Sequence, residues 1–348
     1  NWQQTREHFV KWWNRDETSR PLLIIKPPRT EKGFVTNNWT EPAAGLDDLS
    51  LIEQVYLNSD LIFGLAEKNF EESEYMAEAF PYMYAYLGAG SLGTFLGAKP
   101  VFRADTIWYE PCFNDIEKAQ LFLDKNSRWW NWSIETTKKA VKRAGDNYLI
   151  GIPGLVENLD ILAALLGTEK LLFYLIDAPD EIHRLQKQLL GAYYEAYEEH
   201  YNLIKDKDGW SVGEGNMWGP GKIQQVQCDF SAMISPGMFD EFVLPYLKEE
   251  CNWLDHSFYH VDGAEEICHL DSILKIESLD CIEFTPPAYA FDGGYPCWDI
   301  IYKKALNAGK GIYAIVHPKS FKEFVKRFGS TGVAIYTWPA TVKEAEEL

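Results

Sequence analysis

Short apolar runs alternate with longer amphipathic stretches along most of the chain. The runs are rich in branched and aromatic residues, as in "PLLIIKPP" (21–28) and "GIYAIVH" (311–317). Five more runs of this kind occupy 147–154, 209–215, 257–263, 281–287 and 332–338. Such runs predict buried strands, and apolar residues three and four apart in the intervening stretches predict helices. The alternation is typical of β/α units that build a parallel sheet.

The predicted helices carry the expected end signals. They cover 159–178, 180–204, 236–254, 264–276 and 298–309. Several begin after Asp, Ser or Pro, or end at Gly, as helix capping favours. The clearest start is Ser235, which is followed by Pro236 at the first helical position.

Seven predicted strands, with an eighth in the Pro81 to Phe102 region, indicate an α/β fold of the (β/α)8 TIM-barrel type. Residues 1–113 contain further helical segments and a loop-rich aromatic stretch, which we interpret as an N-terminal elaboration of the first units. No linker divides the sequence, so 1–348 is predicted to be a single domain. A doubly wound open sheet is the alternative, but "LGAGSLGTFLG" lacks a preceding strand and an acidic partner.

The amino-acid composition limits the kinds of molecule that the protein is expected to bind. A net charge of −19 argues against nucleic acid and anionic membrane surfaces, which would repel the chain, and leaves a small-molecule substrate. The six cysteines form no C-x-x-C pair and no loop-rich disulfide framework, and no apolar run reaches bilayer length. We therefore expect a cytoplasmic protein, for which a homodimer is an open option. An aromatic content of 15% supplies the core and also suits a cleft that stacks sugar rings.

The carboxyl ends of barrel strands converge on one mouth, so residues that close each predicted strand are candidates for chemistry. His260 and Asp262 share a strand face, because strand side chains alternate, and Gly263 permits a turn after them. Glu214 closes another strand, and Asp229 precedes the helix start at Ser235, where a turn-forming role is the structural alternative. The predicted catalytic residues are Asp262, Asp229, His260 and Glu214.

Other polar and aromatic residues at predicted strand ends are assigned to substrate binding. They are Trp218, Asp160, Asn158, Glu283, Arg29, Trp338 and His317. Glu157 belongs to the same mouth. Zinc would need ligands beyond His260 and Asp262, so no cofactor is expected and a zinc site is left open. No G-x-S-x-G elbow is present, which disfavours a serine nucleophile.

Four segments resemble the uroporphyrinogen decarboxylase-like superfamily, which includes corrinoid-linked methyltransferases. They are "SRPLLIIKPPR", "LDILAALLGTEKLLFYLIDAPDEIHRL", "DFSAMISPGMFDEFVLPYLKEE" and "YHVDG". The third is the most specific, with an acidic residue, a Ser-Pro helix start and a Phe-rich helix. The resemblance spans nearly the whole chain and implies the barrel fold.

Two departures distinguish the chain from these relatives. The resemblance implies a His-x-Cys zinc site with a later Cys in the methyltransferase branch. Here His260 matches, Asp262 replaces the first Cys, and "YTWPAT" supplies no second one. The decarboxylase branch holds substrate carboxylates with an arginine-rich segment, whereas "IKPPRTEKGF" offers Lys26, Arg29 and Lys32. The chain resembles a divergent subfamily that lacks the Cys zinc ligands.

These residues support three functional hypotheses. The first is a glycoside hydrolase-type enzyme that acts on a small polar, sugar-like substrate by carboxylate acid/base chemistry, because several carboxylates are predicted to meet beside Trp218 and Trp338. The alternative is a zinc-dependent corrinoid- or thiol-linked methyltransferase. A decarboxylase or a non-catalytic ligand-binding barrel is the remaining alternative.

Overall fold

The computed structural model describes residues 1–30, 39–156 and 158–348. Its largest sheet has seven strands, and all neighbours pair in parallel except β2, which is antiparallel to β1. In spatial order the strands are β2 (Met76–Ala77), β1 (Leu22–Ile25), β13 (Val333–Thr337), β12 (Gly311–Ile315), β11 (Cys281–Thr285), β10 (His256–Asp262) and β9 (Ile223–Val226).

Three smaller sheets complete the strand inventory of the described residues. β3 (Tyr82–Met83) pairs in parallel with β6 (Leu149–Ile150). β4 (Lys99–Phe102) with β5 (Ile107–Glu110), and β7 (Trp210–Val212) with β8 (Trp218–Pro220), are antiparallel pairs. Eight of the described strands lie in parallel pairs, and seven of these eight coincide with predicted segments.

The helices follow the β/α alternation. Their bounds are α1 (Trp2–Trp13), α2 (Leu49–Leu57), α3 (Ser59–Glu72), α4 (Ser91–Phe95), α5 (Arg128–Ala144), α6 (Asn158–Leu166), α7 (Thr168–Asp177), α8 (Pro179–Ile204), α9 (Pro236–Phe242), α10 (Leu244–Trp253), α11 (Leu270–Ile273), α12 (Asp299–Asn307), α13 (Pro318–Phe328) and α14 (Val342–Glu346). Ser235 caps α9 by accepting a hydrogen bond from Met238 N, so the predicted Ser-Pro helix start is confirmed. No helix among these is long and apolar enough to cross a bilayer.

One strand assignment from the sequence is wrong. The predicted strand 209–215 contains β7, which is one arm of an antiparallel hairpin with β8. The parallel strand that follows is β9, whose Gln224 and Gln225 make it too polar to be recognised as a buried strand. The backbone of Ile152, after β6, donates to Val212 O of the hairpin at 3.1 Å, so β7 lies beside β6. The main sheet and the β3–β6 pair are separate ladders, and these ladders alone do not close a barrel.

The two faces of the main sheet have different coverings. One face, with residues such as Val261, Phe284 and Ile335, packs in the large cluster that includes the helices. The other, here called the inner face, carries Phe258 and Tyr313 and packs in a second cluster. Side chains alternate between the two faces along a strand. Only every second residue of each strand can therefore reach a site on the inner face.

An aromatic plug fills the inner face toward the amino ends of the strands. Trp218 of β8 contacts Trp2 and Phe9 of α1, with ring centroids 5.2 and 5.9 Å apart, and Trp13 Nε1 donates to Trp218 O at 3.0 Å. The guanidinium of Arg6 lies 4.1 Å from the ring centre of Trp210. The opening helix therefore seals this end of the inner face and leaves the carboxyl ends of the strands for chemistry.

Candidate functional site

The centre of the candidate site is His260 on β10. Phe258, His260 and Asp262 share one side of this strand, and the buried Phe258 fixes that side as the inner face. The neighbouring strand is in register, with His260 opposite Glu283. His260 Nδ1 and Glu283 Oε2 form a short hydrogen bond, and Thr285 Oγ1 donates to Glu283 Oε1 at 3.0 Å. Glu283 therefore orients the imidazole ring from the next strand.

Asp229 joins His260 and Asp262 in one cluster. One ligand atom from each of these three side chains lies within 4.8 Å of the other two. Asp229 begins the 3-10 turn Asp229–Met233 after β9, so it comes from the strand adjacent to β10. Three of the four predicted catalytic residues thus lie together at the carboxyl ends of neighbouring strands.

Two buried groups hold Asp229 in place. Gln227 Nε2 donates to Asp229 Oδ1 at 3.0 Å, and Gln225 Nε2 donates to Gln227 Oε1 at 3.2 Å. The Asp160 carboxylate accepts hydrogen bonds from Asp229 N at 2.9 Å and from Phe230 N at 2.7 Å. The side chain of Asp229 is fixed by the amides on β9, and its backbone is fixed by Asp160 at the start of α6.

The electrostatics of the cluster are dominated by burial and crowded carboxylates. Burial lowers the pKa of His260, but Glu283, Asp229 and Asp262 outweigh it and raise the pKa to about 10. Burial, reinforced by Asp229, raises the pKa of Asp160 to about 7. Without a bound cation, His260 is therefore an imidazolium at neutral pH, paired with Glu283.

Glu266 adds a buried acid behind Asp262. Its Oε2 accepts a hydrogen bond from Asp262 N at 3.2 Å, while the residue is 1% exposed. Burial and the charge of Asp229 raise the pKa of Glu266 to about 9, so the side chain is a neutral acid at pH 7. Glu266 was absent from the predicted set because it lies in the helical turn after the strand.

The fourth predicted catalytic residue, Glu214, comes from the β7–β8 hairpin. Gly215 and Asn216 both have left-handed backbone conformations, with φ of 64° and 62°, and Met217 N donates to Glu214 O at 3.2 Å. This is the two-residue turn that suits hairpin twist. Tyr313 donates its hydroxyl to Gly215 O at 2.7 Å, and Asn216 N donates to the Tyr82 hydroxyl at 3.3 Å. The turn is fixed from two sides.

A cavity of about 210 Å³ lies against His260 on the inner face. We call it the site cavity. Its lining consists of Gly215, Asn216, Gln225, His260, Glu283, Thr285, Tyr313, Ile315 and Tyr336. The polar groups line it together with two tyrosines and an isoleucine, as in sites for small polar molecules that also carry an apolar part.

The three clustered side chains fit a divalent metal ion. They offer one imidazole and two carboxylates, which suit zinc and other first-row divalent ions, and three protein ligands are typical of a catalytic metal site. Glu283 engages Nδ1 of His260, so Nε2 is available as the ligand atom. A carboxylate behind a histidine is the usual support of a metal ligand. These three residues could therefore hold a metal ion without thiolate ligands.

Several predicted binding residues lie elsewhere. The assignment of Trp218 to substrate binding is wrong, because its ring is 3% exposed within the aromatic plug. Arg29 Nε donates to Ser73 O at 2.7 Å and pairs with Glu74, which is a structural use of the guanidinium. His317 caps α13 by accepting from Lys319 N and touches the partly exposed ring of Trp338.

The remaining predicted residues lie around α6. Asn158 is 1% exposed and begins α6 with a left-handed φ of 58°. Asp160 supports the site by accepting a hydrogen bond from the backbone N–H of Asp229. Glu157 falls outside the described residues. Glu283 is at the site, and its role is to hold His260.

Sequence reasoning missed the glutamines and tyrosines of the site. Gln225 lies on β9 and Gln227 directly after it, Tyr313 and Tyr336 line the site cavity, and the Tyr82 hydroxyl accepts from Asn216 N of the hairpin turn. The sequence did contain a signal for Gln227. It stands two residues before Asp229, just as His260 stands two residues before Asp262, and residues with this spacing share one side of a strand.

Comparison with known proteins gives a likeness to a solved structure, whereas the sequence comparisons give no match. No protein-family model matches the sequence, and no curated protein matches it. Among solved structures, the chain is similar to a methyltransferase from Methanosarcina mazei, with a TM-score of 0.57 and 13% sequence identity. The match covers 97% of this chain and 94% of that chain. At this identity the likeness shows a shared fold.

Proposed function

We propose that the chain is a methyltransferase of the uroporphyrinogen decarboxylase-like superfamily, built on a (β/α)8 barrel, whose Asp229, His260 and Asp262 hold a divalent metal ion. The observation that carries the proposal is the convergence of these three ligand atoms within 4.8 Å, in a chain whose fold is similar to that of a methyltransferase. The metal chemistry therefore rests on the residues of this chain, and the reaction class takes support from the fold.

When bound, the ion would supply Lewis-acid activation of the group that donates or accepts the methyl. The protein residues prepare for it. His260 must be neutral to act as a ligand, so binding releases the proton that its raised pKa retains, while Glu283 keeps the ring oriented. Gln227 engages Oδ1 of Asp229 and leaves Oδ2 for the ion.

The site cavity would hold the substrate beside the ion. Gln225 and Thr285 offer polar contacts, while Tyr313 and Tyr336 offer aromatic faces. A methyl group moves without its bonding pair, so the leaving atom keeps that pair and the acceptor supplies a lone pair. The protein has to align donor and acceptor and keep water out.

The glycoside hydrolase hypothesis gains no support. Trp218, one of two proposed stacking platforms, lies in the aromatic plug, and the structural relative is a methyltransferase. One ligand atom each of Asp229, His260 and Asp262 lies within 4.8 Å of the other two, an arrangement that suits a shared metal ion. We place methyl transfer first for these reasons.

Metal binding is the test. Protein purified without chelators should bind about one equivalent of zinc, manganese or cobalt in a calorimetric titration, with a proton released near neutral pH. Asp262→Asn and Asp229→Asn should each weaken binding by more than about tenfold, because each removes a charged ligand. The matched control is Asp240→Asn, an exposed aspartate on α9 that should bind as the wild type does.

The reaction is tested on the same proteins. Demethylation of methylcobalamin with a small thiol as acceptor, followed by visible absorbance, should require the metal and should fail in Asp262→Asn. The metal site would be refuted if no divalent ion binds stoichiometrically, or if both ligand variants bind the ion as tightly as the wild type does. Metal binding without methyl transfer from any methyl donor would refute the reaction class.

A further inference from the structure

Two side-chain amides connect Asp229 to the site cavity. Gln227 Nε2 donates to Asp229 Oδ1 at 3.0 Å, and Gln225 Nε2 donates to Gln227 Oε1 at 3.2 Å. Gln225 lies on β9 opposite Phe258 of the inner face, and it lines the cavity. Gln227 and Gln225, here called the amide relay, therefore run from a proposed metal ligand to the cavity wall.

The direction of the amide relay is set by Asp229. A carboxylate only accepts hydrogen bonds, so Gln227 has to present its NH2 group to Asp229. Gln227 Oε1 is then left to accept, and Gln225 has to present its own NH2 group to it. Rotation of either amide by half a turn would set like groups against each other. The relay thus holds Gln225 Oε1 in place as an acceptor.

Gln225 Oε1 lies beside the hairpin turn on the cavity wall. A Cβ added to Gly215 of this turn would be 3.9 Å from that oxygen. In the part of the chain that the structure describes, no group donates a hydrogen bond to Gln225 Oε1. A ligand that displaces water from the cavity leaves this oxygen without a partner, unless the ligand itself supplies a donor.

The rest of the lining favours a donor without charge. Both oxygens of Glu283 are engaged, one by His260 and one by Thr285, and the Tyr313 hydroxyl donates to Gly215 O. Apart from His260 and Glu283, the side chains of the lining are uncharged. A ligand ammonium would be desolvated there without a free carboxylate of the lining to pair with, a cost that a hydroxyl or an amide avoids.

The volume of the site cavity limits the size of the enclosed group. A cavity of about 150 Å³ accepts benzene, so one of about 210 Å³ holds roughly eight non-hydrogen atoms. The enclosed part of a substrate is therefore small, and a single hydrogen bond to Gln225 is a large share of its polar contacts.

We propose that Gln225 determines substrate specificity: its Oε1 selects a substrate that places a neutral hydroxyl or carboxamide group in the site cavity. The inference rests on the proposed function, because it concerns the substrate of that site. The donor group binds Gln225, the apolar part of the substrate lies against Tyr313, Ile315 and Tyr336, and the reacting atom faces the proposed metal ligands.

Two pairs of small thiols test this selection by binding alone. The first compares 2-mercaptoethanol with 1-propanethiol, in which a methyl group replaces the hydroxyl. The second compares 3-mercaptopropionamide with 4-mercapto-2-butanone, in which a methyl group replaces NH2. Ligand-observed NMR titrations, with and without zinc, should show at least about a fivefold preference for the donor-bearing member of a pair, because the other member leaves Gln225 Oε1 unsatisfied. The pair with the preference identifies the donor as hydroxyl or amide.

Three variants locate the preference. Gln225→Met keeps the length of the side chain without its amide and should reduce the preference to less than about twofold. Gln227→Met releases the Gln225 amide to rotate and should also weaken the preference. The matched control is Gln54→Met, which changes an exposed glutamine on α2 and should leave the preference as in the wild type. Circular dichroism of each variant verifies folding.

Two results would overturn the role of Gln225. They are equal affinities within both pairs, and a wild-type preference in folded Gln225→Met. Because each pair shares its thiol, contacts of sulfur with an ion cancel in the comparison, and metal binding is measured separately. A preference in protein that binds no ion would therefore refute only the proposed function, whereas metal binding without a preference would refute only the selection by Gln225.

Discussion

Glu78 and Glu214 are two shielded glutamates at opposite ends of the inner face, and they have opposite acid–base behaviour. Glu78 is 3% exposed and accepts two hydrogen bonds of 2.7 Å from Arg20, with His8 at 3.0 Å. Burial raises its pKa, but these partners prevail and lower it to about 2. Glu214 has only burial and a distant His260, and its pKa rises to about 7.

The difference separates a structural carboxylate from a candidate for function. At the amino ends, Arg20 and His8 pair with Glu78, and Trp218 packs among the rings of α1. At the carboxyl ends, burial outweighs the attraction of His260 and raises the pKa values of Asp160, Glu214 and Glu266. Carboxylates whose pKa is displaced upward in a cavity are candidates for binding and catalysis, because only a ligand can complete their surroundings.

The largest contrast is expected between two tryptophans. Trp218→Ala should lower the free energy of unfolding by about 4 kcal/mol, because it empties a well-packed aromatic site. Trp338→Ala should change it by less than about 0.5 kcal/mol, since that ring is 38% exposed. Urea denaturation of both variants is the measurement. Similar losses would mean that the two ends are packed alike.

Glu78→Gln should be the next largest effect. The depressed pKa of Glu78 means that its carboxylate stabilises the fold above a pH of about 4.5, and that this stability is lost as the pH falls toward 2. At pH 7 the variant should lose about 3 kcal/mol, and near pH 2 it should match the wild type. Thermal unfolding across this range measures the difference, and a constant offset at all pH values would contradict the ion-pair origin.

Glu214→Gln should act in the opposite direction. A raised pKa means that the protonated acid is favoured by folding, so its contribution is complete below a pH of about 4.5 and is lost as the pH rises through 7. The ligand-free variant should be more stable than the wild type by about 1–3 kcal/mol at pH 8 and equal to it at pH 4. Destabilisation at pH 8 would show that Glu214 has a structural partner after all.

Asp160→Asn is expected to have the smallest effect of the four. In the wild type, the two oxygens of Asp160 accept the backbone N–H groups of Asp229 and Phe230. Asparagine keeps only one of these acceptors, so its NH2 group would face the other N–H group. The loss should be about 1–2 kcal/mol of stability, with weaker metal binding because the Asp229 backbone shifts. Unchanged metal affinity in calorimetry would separate Asp160 from the site.

Much of the parallel architecture could be predicted from the sequence, because it depends on periodicity. The strands that contain His260, Glu283 and Tyr313 appear in the sequence as short, largely apolar runs. β9 could not be found in this way, since Gln224 and Gln225 interrupt its apolar pattern and Gln225 lines the site cavity. The strand that carries the most site chemistry was therefore the hardest to recognise.

The residue types of the site could be predicted from the sequence, but the contacts between these residues could not. His260, Asp262 and Asp229 were identified from their places before a glycine and before a helix start. That Glu283 would pair with His260 depends on cross-strand register, which a single sequence does not encode locally. Trp218 was misplaced because the chain reverses at Gly215 and Asn216, carrying it away from the mouth toward α1.

That reversal has a consequence for how such a site could change over time. Glu214 stands on a two-stranded insertion between successive units, so the insertion can lengthen, shorten or exchange its tip without shifting the register of any parallel strand. The proposed metal ligands lie on or directly after parallel strands and lack this freedom. Relatives of this chain could keep one reaction centre and acquire different substrates by exchanging a single hairpin.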